Sequence, residues 1–164
     1  MSETYSNPES STLHSLRSLE QSGLYLFHGS GERIDTLEPR QAVSQGKSDG
    51  EPAVCAAYDP DTAIYMALMD SARKVVLASG QSCRSGYSRN KDAYRFYATK
   101  NITDAMRSAS GWVHVISRNG FTTYYEGTEM RRISPVDPLE AVQVQFEDFG
   151  FTIDVIEEED FAPE

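Results

Sequence analysis

An Asn-Gly pair at residues 119–120 is the strongest local signal in the chain, because it separates two runs of β-prone residues, 112–116 and 121–125. Asn-Gly readily adopts the positive φ angles of the tight turns that join antiparallel strands. The sequence therefore predicts a β-hairpin here, and any fold for this chain has to contain antiparallel β-structure.

Two helices are predicted from local signals. Leu13, Leu16 and Leu19 recur at three-residue spacing before Gly23, which predicts a short amphipathic helix that ends near this glycine. A second helix is predicted after Asp59, which suits the N-cap position and is followed by proline. This helix runs at least to residue 73, and residues 74–78 either continue it or form a strand.

Several short strands are predicted around these helices. Apolar runs at residues 24–27 and 53–57 indicate buried strands, and alternation at residues 141–146 indicates a half-buried one. Residues 79–90 are rich in Gly and Ser and are interpreted as a loop, with a short strand to follow at residues 94–97. Strand and helix do not alternate regularly, so we predict an α+β fold rather than a doubly wound parallel sheet.

The length of 164 residues fits one domain. Residues 1–11 are polar and predict a disordered tail, residues 12–156 a single domain that begins with the short helix, and residues 157–164 an acidic tail. No apolar run has the length of a membrane span or the position of a signal-peptide core, so we expect a soluble, cytoplasmic protein that does not enter membranes. Two cysteines without metal-ligand spacing predict free thiols and no structural zinc.

The charge of the chain narrows the choice of partners. The formal net charge is −10, and residues 137–164 hold ten acidic residues and no Lys or Arg. A charge of this sign repels phosphate backbones, so general nucleic-acid binding is disfavoured. The basic residues in the middle of the chain, residues 84–107, could still hold one small anion or nucleotide.

Three groups of residues stand where predicted strands and helices begin or end. His28, Gly29 and Ser30 follow a buried strand, which places an imidazole, a backbone without a Cβ and a hydroxyl together. Tyr65 lies about one and a half turns into the second helix. Glu129 follows the predicted hairpin.

In this order and at these separations, the three groups resemble the His-Tyr-Glu branch of the ADP-ribosyltransferase superfamily, which includes diphtheria-like toxins and poly(ADP-ribose) polymerases. The strand-His-Gly opening, and a later strand followed by Asp-x-x-x-Ala, are also similar to rifampicin ADP-ribosyltransferases. The resemblance covers residues 24–146 and implies a split β-sheet core with a few short helices. It also implies an enzyme that takes NAD as co-substrate, needs no metal and transfers ADP-ribose to an acceptor.

The resemblance also implies a role for each residue. Glu129 would stabilise the oxocarbenium-like state that forms as the nicotinamide–ribose bond breaks. The imidazole would hydrogen-bond a ribose hydroxyl, the glycine backbone would bind the carboxamide, the tyrosine would stack on nicotinamide, and an arginine would meet the pyrophosphate. The NAD contacts implied in this way are His28, Gly29, Ser30, Arg40 and Tyr65.

Two positions have alternatives. The polymerases carry a second aromatic eleven residues before Tyr65, where this chain has Val54, so Tyr58 is the alternative second stacking residue. Glu126 is the alternative to Glu129, because a slip in strand register would exchange them.

Other functions are compatible with the same residues. The fold could be an inactive module that binds NAD, ADP-ribose or a protein partner. It could also be an RNA 2′-phosphotransferase, although such a site would want several basic residues, or the chain could be an acidic interaction protein. If ADP-ribose is transferred, a protein or small-molecule acceptor is favoured over nucleic acid because of the net charge of −10.

Overall fold

The structure, a computed structural model, describes residues 9–41, 43–44, 47–48, 50–90, 93–124 and 129–157. These residues form the mixed α+β fold that the sequence predicts. The helices are α1 (Ser11–Ser22), α2 (Pro60–Ala78) and α3 (Lys100–Met106), and a 3-10 turn spans Phe146–Asp148. The strands are β1 (Tyr25–Ser30), β2 (Val43–Ser44), β3 (Lys47–Ser48), β4 (Val54–Ala56), β5 (Ser85–Asn90), β6 (Ala93–Thr99), β7 (Ser110–Ser117), β8 (Thr122–Tyr124), β9 (Glu129–Arg132), β10 (Glu140–Gln145) and β11 (Ile153–Ile156).

Helix α1 confirms the first predicted helix. The Ser10 hydroxyl accepts a hydrogen bond from the Leu13 amide at 3.0 Å, and Gly23 ends the helix with φ of 72°. The helix therefore begins at Ser11, inside the stretch predicted as tail. The predicted tails at residues 1–8 and 158–164 lie outside the described residues.

Helix α2 begins where its capping signals predict. The Asp59 carboxylate accepts the Thr62 amide at 2.8 Å, and Pro60 occupies the first turn. The helix continues to Ala78, so residues 74–78 are helical and not a strand. Asp61 is buried and pairs with Arg17 of α1 at 3.1 Å, which fastens α1 to the start of α2.

The strands form three three-stranded sheets and one two-stranded ribbon within the described residues. Sheet 1 has the order β1-β7-β10, sheet 2 the order β4-β9-β8 and sheet 3 the order β11-β6-β5, and β2 pairs with β3. The pairs are antiparallel except for β11 with β6, which is parallel. Phe27 of β1 and Ala57, directly after β4, exchange backbone hydrogen bonds of 3.0 and 2.8 Å, which join sheets 1 and 2.

The predicted hairpin at residues 112–125 is wrong, although its turn exists. Gly120 has a φ of 83°, and the Phe121 amide donates to the Arg118 carbonyl at 3.2 Å. The flanking strands then diverge, because both edges of β7 are taken, one by β1 and the other by β10. Strand β8 pairs with β9 in sheet 2 instead, so the Asn-Gly turn carries the chain from one sheet to another.

The loop predicted at residues 79–90 is wrong in its second half. Residues 85–90 form β5, which pairs with β6 from Ser85↔Ala98 to Asn90↔Ala93. Gly and Ser have low intrinsic strand preference, and here pairing with β6 overrides it. Strand β6 itself agrees with the short strand predicted at residues 94–97, and β10 agrees with the alternation at residues 141–146, with Val144 buried.

Two apolar clusters form the core. The larger one lies between α2, α1, α3 and one face of sheet 1, and it includes Phe27 and Val113. The smaller one lies on the other side of sheet 1 against sheet 2, with Leu26, Ile116 and Met130. Across the described residues, no helix is long and apolar enough to cross a membrane.

Candidate functional site

A cleft with two lobes lies beside β1, between β4 and α2. The wide lobe has a volume of about 370 Å³ and the narrow lobe about 80 Å³. They adjoin each other, since His28, Gly29, Cys55 and Met66 line both. The wide lobe is completed by residues that include Ser30, Ile34, Leu37, Arg40, Asp70 and Arg73, and the narrow lobe by residues that include Thr62, Ala63, Tyr87 and Glu129.

His28 is held in one orientation at the junction of the lobes. Its Nδ1 lies 2.7 Å from the carbonyl oxygen of Cys55. A carbonyl can only accept, so Nδ1 carries the proton and Nε2 is an acceptor in the neutral ring. Burial lowers the pKa of His28, and the positive charge of Arg40 lowers it further, against the opposing effects of the Cys55 carbonyl and Asp70. A neutral imidazole in this state can accept a hydrogen bond from a hydroxyl group.

Gly29 is required by packing as well as by the cleft. A Cβ at this position would overlap the carbonyl oxygen of Ala63 and lie 2.8 Å from the amide nitrogen of Ala67. Strand β1 can therefore approach α2 only with glycine here. Ser30 follows in the wall of the wide lobe, where its hydroxyl oxygen accepts the Glu32 amide at 3.2 Å.

Glu129 begins β9 and lines the narrow lobe, in the same cleft as His28 and Gly29, so the structure brings these three predicted residues together. The Nε of Arg131 donates to its carboxylate at 2.8 Å. Arg131 is buried, and its guanidinium lies 3.7 Å from the ring centroid of Tyr124. The alternative carboxylate, Glu126, lies outside the described residues.

Tyr65 lines neither lobe. Its side chain is 0% exposed, and its ring packs on Phe96 and Phe149 at centroid distances of 4.9 and 5.8 Å. Its hydroxyl donates to the Tyr97 carbonyl at 2.6 Å. Helix α2 turns Met66 to the cleft and the residue before it to the core, so the predicted stacking role does not fit this tyrosine.

Tyr58 also lies outside the residues that line the cleft. Its hydroxyl contacts the Met130 sulfur at 2.7 Å, and the Arg118 guanidinium lies 5.3 Å from its ring centroid. It packs against the smaller core cluster. The prediction that it could supply a second stacking face is therefore not supported by its position.

Tyr87 lines the narrow lobe together with Glu129 and the fully buried Phe27. Burial raises its pKa to about 12, with a further contribution from the negative charge of Glu129. Its hydroxyl is therefore protonated at neutral pH and can donate a hydrogen bond. Sequence reasoning missed this residue because it lies in the stretch interpreted as a loop. The available signal was that residues 85–90 and 93–99 are two segments close enough along the chain to pair with each other.

Two arginines line the wide lobe. Arg40 is next to β4, where its backbone pairs with Ala53, and Arg73 projects from α2 on the same face as Met66 and Met69. Within the part of the chain that the structure describes, neither guanidinium has an ion pair or a side-chain hydrogen bond. Arg40 was predicted from the sequence, whereas Arg73 was not, because only the helix orientation shows that it faces the cleft.

Compared with known proteins, the chain matches no family model, no curated protein and no solved structure. Its function has to be inferred from the cleft alone. Among the described residues, no group of three or more His, Cys, Asp or Glu side chains could hold a metal ion. What the cleft offers is a neutral imidazole acceptor, a protonated phenol, a carboxylate held by a buried arginine, and two guanidiniums.

Proposed function

We propose that the protein is an NAD-dependent mono-ADP-ribosyltransferase-like enzyme that cleaves the nicotinamide–ribose bond and transfers ADP-ribose to an acceptor. The observation that carries the proposal is that His28, Gly29, Tyr87 and Glu129 line one narrow lobe, which adjoins a wide lobe lined by two arginines. The junction of sheets 1 and 2 at Phe27 agrees with the split-sheet core expected for such enzymes.

In the proposed complex, the nicotinamide end of NAD occupies the narrow lobe. Tyr87 takes the stacking role that the sequence assigned to Tyr65, because it lines the narrow lobe with Glu129 and, unlike Phe27, is partly exposed. The carboxylate stabilises positive charge on the ribose as the bond to nicotinamide breaks. His28 accepts a hydrogen bond from a ribose hydroxyl through Nε2, since Nδ1 is committed to Cys55.

The remainder of NAD would occupy the wide lobe. Arg40, whose backbone pairs with Ala53 next to β4, and Arg73 of α2 both line it, and guanidinium groups bind phosphate oxygens with paired donors. The net charge of −10 favours a protein or a small molecule over nucleic acid as the acceptor.

A second candidate is an inactive module with the same fold that binds NAD or ADP-ribose. The contact that favours it is the 2.8 Å ion pair between Glu129 and Arg131, which occupies one carboxylate oxygen. An enzyme can use the other carboxylate oxygen of Glu129 for catalysis, whereas a binding module needs neither oxygen.

Nicotinamide release from NAD, measured for the wild type and for Glu129→Gln, decides between the two. We expect Glu129→Gln to lower release by about 100-fold or more, because a group that stabilises transition-state charge is lost, while ADP-ribose still binds. Glu140→Gln is the matched control, since Glu140 is an exposed acid at the start of β10. Glu126→Gln is measured in parallel because that residue is the alternative carboxylate.

Each outcome has a distinct meaning. Loss of release in Glu126→Gln but not in Glu129→Gln would transfer the catalytic role to Glu126. Binding of ADP-ribose by a wild type that releases no nicotinamide would favour the inactive module. Neither release nor binding would refute both candidates.

A further inference from the structure

The segment of residues 31–37, here called the wall segment, forms one side of the wide lobe through Ile34 and Leu37. Backbone hydrogen bonds of three of its residues fasten it to other elements, and the Thr36 hydroxyl also donates to the Asp137 carboxylate at 2.7 Å. The Gly31 amide donates to the Asp70 carboxylate at 2.7 Å, the Ile34 amide donates to Nε2 of His114 at 2.9 Å, and Leu37 exchanges two backbone hydrogen bonds with residue 136. The middle fastening is the one made to an imidazole, whose charge can change near neutral pH.

Both ring nitrogens of His114 make hydrogen bonds. It is 0% exposed on β7, the central strand of sheet 1, and its Nδ1 lies 3.1 Å from the carbonyl oxygen of His28. That carbonyl can only accept and the Ile34 amide can only donate, so one neutral tautomer, with the proton on Nδ1, satisfies both bonds. A second proton would convert the acceptor of the Ile34 amide into a donor and break this contact.

The groups around His114 do not stabilise the positive charge that a second ring proton would bring. His28 faces it from β1 with ring centroids 6.0 Å apart, and Arg33 faces it from the wall segment; both are basic. On β10 the residue opposite is Ala141, and the acidic neighbour Glu140 is exposed. Helix α2 packs on the other face of sheet 1. Burial is the main reason that the pKa of His114 lies below its ordinary value, and the charges of His28 and Arg33 add to it.

We propose that His114 is a positioning residue for the cleft: its neutral ring holds the wall segment in place through Ile34, and protonation of the ring releases the wall segment at Ile34. The mechanical part of this inference stands on the contacts of His114 alone. Its consequence, weaker binding of ADP-ribose in acid, rests on the proposed function.

The chain contains a natural reporter for the release. Trp112 is its single tryptophan, lies two residues before His114 on β7, and has the Arg33 guanidinium 5.7 Å from its ring centroid. We expect its emission to show one titration as the pH falls below about 6.5, the ordinary histidine pKa, because burial lowers the pKa of His114. Over the same range, the exchange protection of the Ile34 amide, measured by NMR, should fall by on the order of tenfold as its hydrogen bond is lost.

Three variants separate His114 from the other histidines. His114→Gln should fold, as judged by circular dichroism, and lose the emission titration, because an amide oxygen can accept from Ile34 but does not titrate. His28→Asn changes the other buried ring and should keep the titration. His14→Gln should also keep it, since the His14 side chain is 76% exposed on α1.

An emission titration that persists in His114→Gln, or unchanged Ile34 protection in the wild type across this pH range, would overturn the inference. The wild-type exchange measurement decides the question even if His114→Gln does not fold. If both readouts follow His114 but ADP-ribose binds at no pH, the positioning role stands and the proposed function fails.

Discussion

The substitution Tyr65→Phe tests most directly whether this tyrosine is core or ligand site. Its hydroxyl donates to the Tyr97 carbonyl at 2.6 Å and is also hydrogen-bonded to the Gly86 backbone. Both partners lie in the pairing of β5 with β6, so the hydroxyl ties α2 to sheet 3. The change removes one oxygen atom and leaves the ring packed on Phe96.

The expected cost follows from these two contacts. A buried hydrogen bond contributes about 1 kcal/mol net, and a buried group left without a partner costs about 1–3 kcal/mol. We therefore expect Tyr65→Phe to lower the free energy of unfolding by about 2 kcal/mol. For a domain of this size, that corresponds to a fall in Tm of about 4–8 °C.

The matched substitution is Tyr87→Leu, which removes the aromatic ring beside Glu129. Calorimetry and nicotinamide release are measured on both variants. We expect Tyr65→Phe to lose stability and keep release and NAD affinity at a temperature well below its Tm, and Tyr87→Leu to lose release by more than its stability accounts for. A Tyr65→Phe variant with unchanged Tm and weakened NAD binding would refute this assignment of the two tyrosines.

Two further predictions concern the cleft arginines and the response to acid. Arg73→Gln should weaken ADP-ribose binding by about 10-fold or more, because a charge-assisted hydrogen bond is lost, whereas adenosine binding, measured by the same calorimetric titration, should stay unchanged. Substitution of the exposed Arg107 by Gln is the control. Equal losses of ADP-ribose affinity in both variants would contradict a local role for Arg73. The pKa of His28 and that of His114 are both lowered on folding, so below about pH 6.5 the unfolded chain binds more protons than the folded one. The free energy of unfolding that the two neutral rings contribute should be complete above about pH 6.5 and be lost as the pH falls below it, as measured by urea unfolding. A contribution from the two rings that grows as the pH falls would contradict this prediction.

Sequence reasoning succeeded where the signal is local. Ser10, Gly23 and Asp59 act within one helical turn, so their capping roles can be recognised without knowledge of the fold. The alternation in β10 can be recognised in the same way, because the side-chain period of a strand is set by its own backbone. The α+β class follows from such local signals taken together.

The failed predictions depend on distant partners. The turn at residues 119–120 is correct, but whether its flanking strands pair depends on β1 and β10 having already taken both edges of β7. β1 precedes that turn by about ninety residues, a separation that no turn signal reports. Residues 85–90 become a strand for a related reason, because β6 supplies the hydrogen bonds that a Gly/Ser-rich segment does not favour by itself.

The burial of Tyr65 has a different physical origin. Residue spacing placed an aromatic on a helix that lines the cleft, but one position on a helix turns a side chain by about 100°. Met66 therefore faces the cleft while Tyr65 faces Phe96. The orientation is set by how closely β1 approaches the helix, and that approach depends on Gly29, where any larger residue would overlap α2.

The charge distribution bears on the class of acceptor. The chain carries a formal net charge of −10, yet Arg40 and Arg73 line the wide lobe. Two acidic residues line the same lobe: Asp70 is engaged by the Gly31 amide and lies 3.5 Å from Lys74, and Glu38 is exposed. Small anions feel the nearby guanidiniums, whereas a polyanion extends beyond the screening length of about 8 Å and meets the acidic surface. This combination favours a nucleotide in the cleft and a protein or small molecule, rather than a nucleic acid, as the acceptor of the proposed reaction.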